Sequence, residues 1–291
     1  MREEQLQELI ATRVHRPGAI AEAATNRVRA SSLLGEHGRL MMIAADHPAR
    51  GALRAGERPL AMADRADLLE RLVLALSRPG VNGVLGTPDV LEDLLLLGAL
   101  EGKVVVGSMN RGGLAGTVFE MDDRFTGYDA AAIAAAGFEG GKMLTRIDPD
   151  DPTTVATLES CGHAVSDLAA HGLMAMVEPF ISHRVDGRVR NELTAEAMIR
   201  AQTVAAGLGR TSAHTWLKVP IVEEMERAMA ATTLPAVILG GEVGHDQDAT
   251  FASWAKALAL PTVQGLVIGR SLLYPPGDDV AAAVDAAVGL L

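Results

Sequence analysis

Aromatic residues make up only 3% of this 291-residue chain, lysines number four against 22 arginines, and cysteine occurs once, at Cys161. Each shortage removes a class of protein. A lone cysteine leaves no intrachain disulfide and no thiolate metal cluster, and it suits a reducing cytoplasm. No run of 18 uncharged apolar residues occurs, which speaks against a membrane-spanning helix. MREEQLQELIATRVHR, at the N-terminus, has no apolar stretch of the secretory kind and is patterned as a helix. A formal net charge of −11 provides no basic surface for nucleic acid or an anionic membrane. An anionic substrate must therefore be met by local cations. With aromatics scarce, Ala, Val, Leu and Met have to fill the core, and a 48% hydrophobic content supplies them.

What the chain does have is alternation. Eight short apolar segments read as strands: RLMMIAAD (39–46), VNGVLGT (81–87), KVVVGSMN (103–110), FEGGKMLTRID (138–148), LMAMVEPF (173–180), HTWLKVPIV (214–222), PAVILGGEV (235–243) and VQGLVIGR (263–270). Between them lie segments of helical period, at 63–77, 154–172, 194–209, 223–232 and 248–260, with 278–291 closing the chain. Near-continuous apolar strands alternating with helices predict a parallel sheet covered on its outer face. Eight such units predict a closed (β/α)8 TIM barrel. No linker interrupts the pattern, so residues 1–291 are expected to form a single domain. Residues 1–35 form an N-terminal helical extension, expected to plug the bottom of the barrel or to pack beside it.

One lysine stands out. In TWLKVPIV, strand alternation puts Trp216, Lys218 and Pro220 on one face and Leu217, Val219 and Ile221 on the other. The aliphatic set suits the helix-facing side, which turns Lys218 into the barrel. Burial penalises an ammonium ion, and a neutral amine is a nucleophile able to form a Schiff base with a carbonyl. The alternative is a lysine that snorkels to the rim or is neutralised by a carboxylate. Lys142, in GGKMLTRID, is expected inside strand 4 with Leu144 and Arg146 on its face. Glu178 ends MAMVEP on strand 5, one strand before Lys218, where a carboxyl group can move protons or simply balance charge. Asp46, ending strand 1, is placed to orient hydroxyls, to accept a proton, or to cap a loop.

Gly240, Gly241, Gly269 and Arg270 close strands 7 and 8, where backbone N–H groups and a helix N-terminus cradle phosphate in barrels of this type; tight turns are the plainer reading. Arg146 and His47 complete the candidate substrate-binding set. GGKM lacks the spacing of a P-loop, and RGGLAG is not a dinucleotide fingerprint. His47, His183 and His245 lie near strand ends. They sketch a divalent-metal lyase as an alternative, without any His-x-His or His-Glu-x-x-His spacing to support it. The long loop after strand 3, 111–128, reads as a lid or a subunit contact.

In this order, "DH", "GGKMLTRID", "VEPF", "WLKVPIV", "GG" and "GR" resemble class I aldolases of the (β/α)8-barrel superfamily. The nearest are tagatose-bisphosphate and archaeal-type fructose-bisphosphate aldolases, with deoxyribose-phosphate aldolase more distant. The chain looks most like an actinobacterial subgroup found with inositol-catabolism enzymes. The resemblance covers roughly residues 35–275 and implies a metal-independent carbon–carbon lyase without a cofactor. It places the Schiff-base lysine at Lys218, the acid/base glutamate at Glu178, the strand 4 lysine at Lys142 and the strand 1 aspartate at Asp46. The phosphate loops fall on Gly240, Gly241, Gly269 and Arg270. The substrate implied is a phosphorylated sugar or keto-acid such as 2-deoxy-5-keto-gluconate 6-phosphate, and a homo-oligomer is the usual assembly. Departures are His47-Pro48 after Asp46, the loop 111–128, and Leu239 where relatives commonly carry serine. A non-catalytic sugar-phosphate-binding barrel is the alternative outside enzymes.

Overall fold

The computed structural model describes residues 3–241, 243 and 246–291. The expected barrel is present. Its parallel strands are β1 (Leu40–Ala44), β2 (Gly83–Gly86), β3 (Val104–Ser108), β4 (Gly140–Ile147), β5 (Met174–Val185), β7 (Thr215–Val219), β8 (Ala236–Leu239) and β9 (Val263–Ile268), while β6 (Arg188–Asn191) is added outside the ring. Hydrogen bonding runs β4-β3-β2-β1-β9-β8-β7-β5, and a β4–β5 pairing closes the ring. The sequence reading ends strand 5 at Phe180. The chain instead continues to Val185 and turns back into β6 through Asp186 (φ 50°) and Gly187 (φ 75°). Two consecutive left-handed residues are what a two-residue type I′ hairpin needs, and Asp-Gly supplies them at low cost.

Alternation sorts the strand residues into two layers. Met41 and Ile43 of β1, with Leu217 and Val219 of β7, join the large cluster between strands and helices. Leu40, Met42 and Ala44, with Val104, Val106, Met174, Met176, Val237 and Val267, fill the barrel interior. One close approach tightens the ring: a Cβ on Gly265 would overlap the Leu40 carbonyl, at the point where the β8–β9 register shifts.

Both expectations for the N-terminal extension are met, by different parts of it. Helices Glu3–His15 and Ala19–Asn26 lie beside the barrel, where Arg13 reaches Asp93 and Glu92 of helix Pro88–Leu96 at 2.9 and 3.0 Å. The segment that follows does the plugging: Ala30, Leu33 and Leu34 pack onto the interior cluster from below. Arg27 fixes that segment, donating to Lys103 O (2.8 Å), Gly137 O (2.6 Å) and Glu139 Oε1 (3.0 Å). No helix among the described residues is long and apolar enough to cross a membrane.

Candidate active site

The interior changes character towards the C-terminal ends of the strands. Below are Met, Val and Leu. Above them the same inward-facing positions carry Asp46, Ser108, Lys142, Glu178 and Lys218, all less than a tenth exposed. Lys218 donates to Glu178 Oε1, and Lys142 pairs with Glu178 Oε2. One carboxylate thus joins two strands' lysines. Lys142 also donates to Asp46 Oδ2 at 3.1 Å, and Ser108 Oγ donates to the same oxygen at 3.1 Å. Arg111 brings its Nη2 to 3.1 Å from that oxygen as well. The outcome is a continuous charged chain, Lys218–Glu178–Lys142–Asp46–Arg111, set into an otherwise apolar barrel.

Its electrostatics follow from burial and neighbours. Burial alone would raise both carboxyl groups. For Glu178 the ammonium groups of Lys142 and Lys218 overcome it and hold the acid far below the usual carboxylate range. For Asp46 the opposing cations are chiefly Arg111 and Lys142, with Lys218 adding to them. Both acids are therefore carboxylates at neutral pH. Lys142 is pushed down to about 8, first by burial and then by Arg111, against the pull of Asp46 and Glu178. That value lies close to working pH, where a group exchanges protons in either direction. His47 is pushed down to about 3 by burial; Asp46 opposes, while Arg270, Lys218 and Arg111 add to the shift. Its imidazole is neutral at the barrel mouth.

The remaining expected residues are placed as follows. Gly269 lies where a Cβ would come within 2.6 Å of Ala44 O and 2.9 Å of His47 Cε1, so β9 ends tightly against β1. Gly241 is left-handed (φ 68°) with open space at its Cβ position, and Gly240 packs onto Ile268 and Ser271. Arg270 Nη1 donates to Arg54 O at 3.1 Å. Ser271, absent from the sequence reading, keeps a buried hydroxyl without a hydrogen-bond partner beside Gly240. Arg146 does turn inward, but its guanidinium is taken by Asp123 (3.0 Å from Nε, 2.6 Å from Nη2) and by Glu120 O. It holds loop 111–128 over the barrel. Arg50 adds to the hold, donating to Gly113 O at 3.1 Å.

Of the three histidines, two fall on described residues. His183 sits on the hairpin arm with Asp148 and Glu192, at 3.4 and 3.5 Å, and His47 adjoins Asp46; His245 and Glu242 lie outside the described residues. Among the described residues no group of three or more His, Cys, Asp or Glu side chains is arranged to hold a metal ion. Cys161 packs in its helix against Thr145 Oγ1 (3.3 Å), its thiol pushed up to about 12 by burial.

Residues 38–288 match the Cgl0159-like family. The chain belongs to that family. Its fold superposes on Cgl0159 from Corynebacterium glutamicum with a TM-score of 0.97 at 53% identity, covering 100% of this chain and 97% of the other. More distant likenesses share the barrel. A Schiff-base-forming fructose-1,6-bisphosphate aldolase aligns at a TM-score of 0.67 and 16% identity, over 93% of this chain and 99% of its own. An archaeal fructose-1,6-bisphosphate aldolase, solved with its catalytic lysine covalently bound as the carbinolamine intermediate, aligns at 0.67 and 16%, over 93% and 98%. No curated protein sequence matches the chain. The resemblance to aldolase barrels is thus one of fold, and the inositol-associated subgroup receives no support from these likenesses.

Proposed function

We propose that this protein is a class I aldolase, a metal-independent carbon–carbon lyase with Lys218 as its Schiff-base residue. The observation that carries the reading is the pair of buried lysines sharing Glu178 at the C-terminal end of the barrel, where barrel enzymes build their sites. The likeness in fold to Schiff-base aldolases supports it.

In this scheme Glu178 takes a proton from Lys218, and the freed amine adds to the substrate carbonyl. The carbinolamine hydroxyl leaves as water with a proton delivered from the Glu178–Lys142 pair. The iminium then accepts the electron pair of the breaking C–C bond as a base removes the proton of the β-hydroxyl. Glu178 and Asp46, both ionised, are the bases at hand. Protonation of the enamine carbon and hydrolysis return the free lysine. Phosphate is assigned to Gly240, Gly241, Gly269 and Arg270, with the buried Ser271 hydroxyl as a further donor. His47, neutral, hydrogen-bonds a substrate hydroxyl, and Arg146 holds the loop above.

The substrate proposed is a phosphorylated sugar or keto-acid. 2-Deoxy-5-keto-gluconate 6-phosphate, cleaved to dihydroxyacetone phosphate and malonate semialdehyde, is the first to assay. A cytoplasmic, single-domain, homo-oligomeric enzyme is the setting; Val118 and Phe119, exposed on loop 111–128, offer apolar surface for a subunit contact.

Borohydride reduction in the presence of dihydroxyacetone phosphate, followed by peptide mass mapping, tests the chemistry. A reduced adduct on the peptide carrying Lys218 is expected. Ligand binding with no adduct across a series of sugar phosphates would instead make the barrel a sugar-phosphate binder, and activity abolished by chelator would make it a metal-dependent lyase.

A further inference from the structure

The charged chain in the barrel mouth does not balance. Two carboxylates, Asp46 and Glu178, face three cations: Lys142, Lys218 and Arg111. The surplus falls at the Arg111 end. This side chain is only 6% exposed. Its root is fixed: Nε donates to Asn110 O at 2.9 Å, and the backbone N–H donates to Thr126 Oγ1 at 3.2 Å. Asn110 is locked in turn by Leu144, whose N–H it accepts at 2.7 Å and whose carbonyl it meets at 2.6 Å. The far end is different. Nη2 lies near Asp46 but out of line for a hydrogen bond, so a buried donor is left without an acceptor. Arg146, one strand away, shows what a satisfied guanidinium looks like here, with Asp123 gripping it from both oxygens.

Position adds direction. Arg111 follows β3, and β8 is four strands from β3 whichever way the ring is followed. Along one arc the order is Arg111, Lys142, Glu178, Lys218 and then the Gly240–Gly241 loop. A molecule whose phosphate lies at the β8 and β9 loops and whose carbonyl meets Lys218 extends towards Arg111. We infer that Arg111 is a specificity-determining residue: it receives an oxyanion at the end of the substrate remote from the phosphate loops. A buried guanidinium edge is the group suited to a carboxylate or phosphate there. This deepens the Schiff-base reading and rests on it.

The test compares wild type, Arg111→Gln and Arg111→Lys in the condensation direction, with dihydroxyacetone phosphate as donor. Malonate semialdehyde, glyceraldehyde 3-phosphate and uncharged glyceraldehyde serve as acceptors. The readout is the ratio of kcat/KM for an anionic acceptor to that for the uncharged one. Arg111→Gln is expected to lower this ratio by roughly 10- to 100-fold, the range of one hydrogen bond to a charged group, and Arg111→Lys to restore part of it. Whichever anionic acceptor responds identifies carboxylate or phosphate. An equal loss with all three acceptors, or an unchanged ratio, overturns the inference and leaves Arg111 as a partner of Asp46 alone.

Borohydride trapping on wild type separates the two failures. Trapping with an unaltered ratio sinks only the Arg111 inference, whereas no trapping sinks the Schiff-base reading. In that second case malonate still decides for Arg111. A saturable thermal shift in wild type that Arg111→Gln abolishes supports an oxyanion site; no shift, or one that survives the substitution, removes it.

Discussion

The two ends of the barrel each bury a carboxylate among cations, and they do so differently. At the bottom, Glu139 takes Arg27 and Arg29, and its Oε2 accepts the Val105 N–H at 2.7 Å. The terminal nitrogens of Arg27 also donate to the carbonyls of Lys103 and Gly137. Its Nε alone is left without an acceptor. At the top the cations are mostly lysines and their contacts run to carboxylates that other cations share, while Arg111, like Arg27, keeps one nitrogen without an acceptor. Arginine with backbone acceptors makes a joint. Paired lysines around one carboxylate make a set of groups whose protons are in competition, and such sets cluster at functional sites.

Substitutions that treat the two ends alike should break them differently. The largest effect is expected from Lys218→Met. Loss of the nucleophile should lower kcat/KM by at least about 10³-fold, while circular dichroism and the melting transition show a folded barrel, because Glu178 still has Lys142. Retention of full activity would remove Lys218 from the mechanism. Arg27→Met should do the reverse. Stripping the buried partner from Glu139 is expected to cost about 3 kcal/mol of unfolding free energy, read from urea denaturation. Activity per folded molecule should stay within about twofold, a margin in line with the usual mildness of changes made far from the chemistry. A large loss of turnover in folded Arg27→Met would mean that the bottom joint positions the top.

The strands and the placement of Lys218 are legible from sequence because both rest on periodicity. Parallel strands covered on both faces are continuous apolar runs, and a two-residue alternation assigns inside and outside once one face is all aliphatic. Lys142 and Glu178 follow by the same rule. Arg111 does not: it lies three positions past Ser108, the end of β3, where alternation no longer holds, and its inward turn depends on Asn110 and Thr126. Arg146 has the right phase, but its partner Asp123 lies 23 residues earlier on an irregular loop, so no local pattern announces the clamp. Ser271 is legible only after β8 and β9 are set side by side. The hairpin arm did have a signal, Asp186-Gly187, but its flanking strands are largely polar and exposed and lack the apolar alternation that marks a half-buried pair.

The smallest expected effect concerns protons, and it isolates the top from the bottom. Folding pushes Lys142 down to about 8 from the ordinary 10.5. Below about 8 the lysine is protonated in both folded and unfolded chains, so it contributes no slope to stability against pH. Between about 8 and 10.5 the unfolded chain binds the proton and the folded chain releases it; unfolding then takes up protons, and stability rises with pH. The rise is at most about 1.4 kcal/mol per pH unit for one group. Cys161, pushed up to about 12, opposes it once the unfolded thiol ionises near 9, and Tyr128 and Tyr274, raised by burial, oppose it from about 10. The lysine is therefore read from the difference between wild type and Lys142→Met over about pH 8 to 9.5. Urea titrations across that window should show a slope that is more positive in wild type than in Lys142→Met. The Arg27–Glu139 joint contains no lysine, and Arg27→Met should lower stability at every pH while leaving the slope as it was. A slope left unchanged by Lys142→Met would assign the titration to other groups in the chain and take Lys142 out of the proton-transfer scheme.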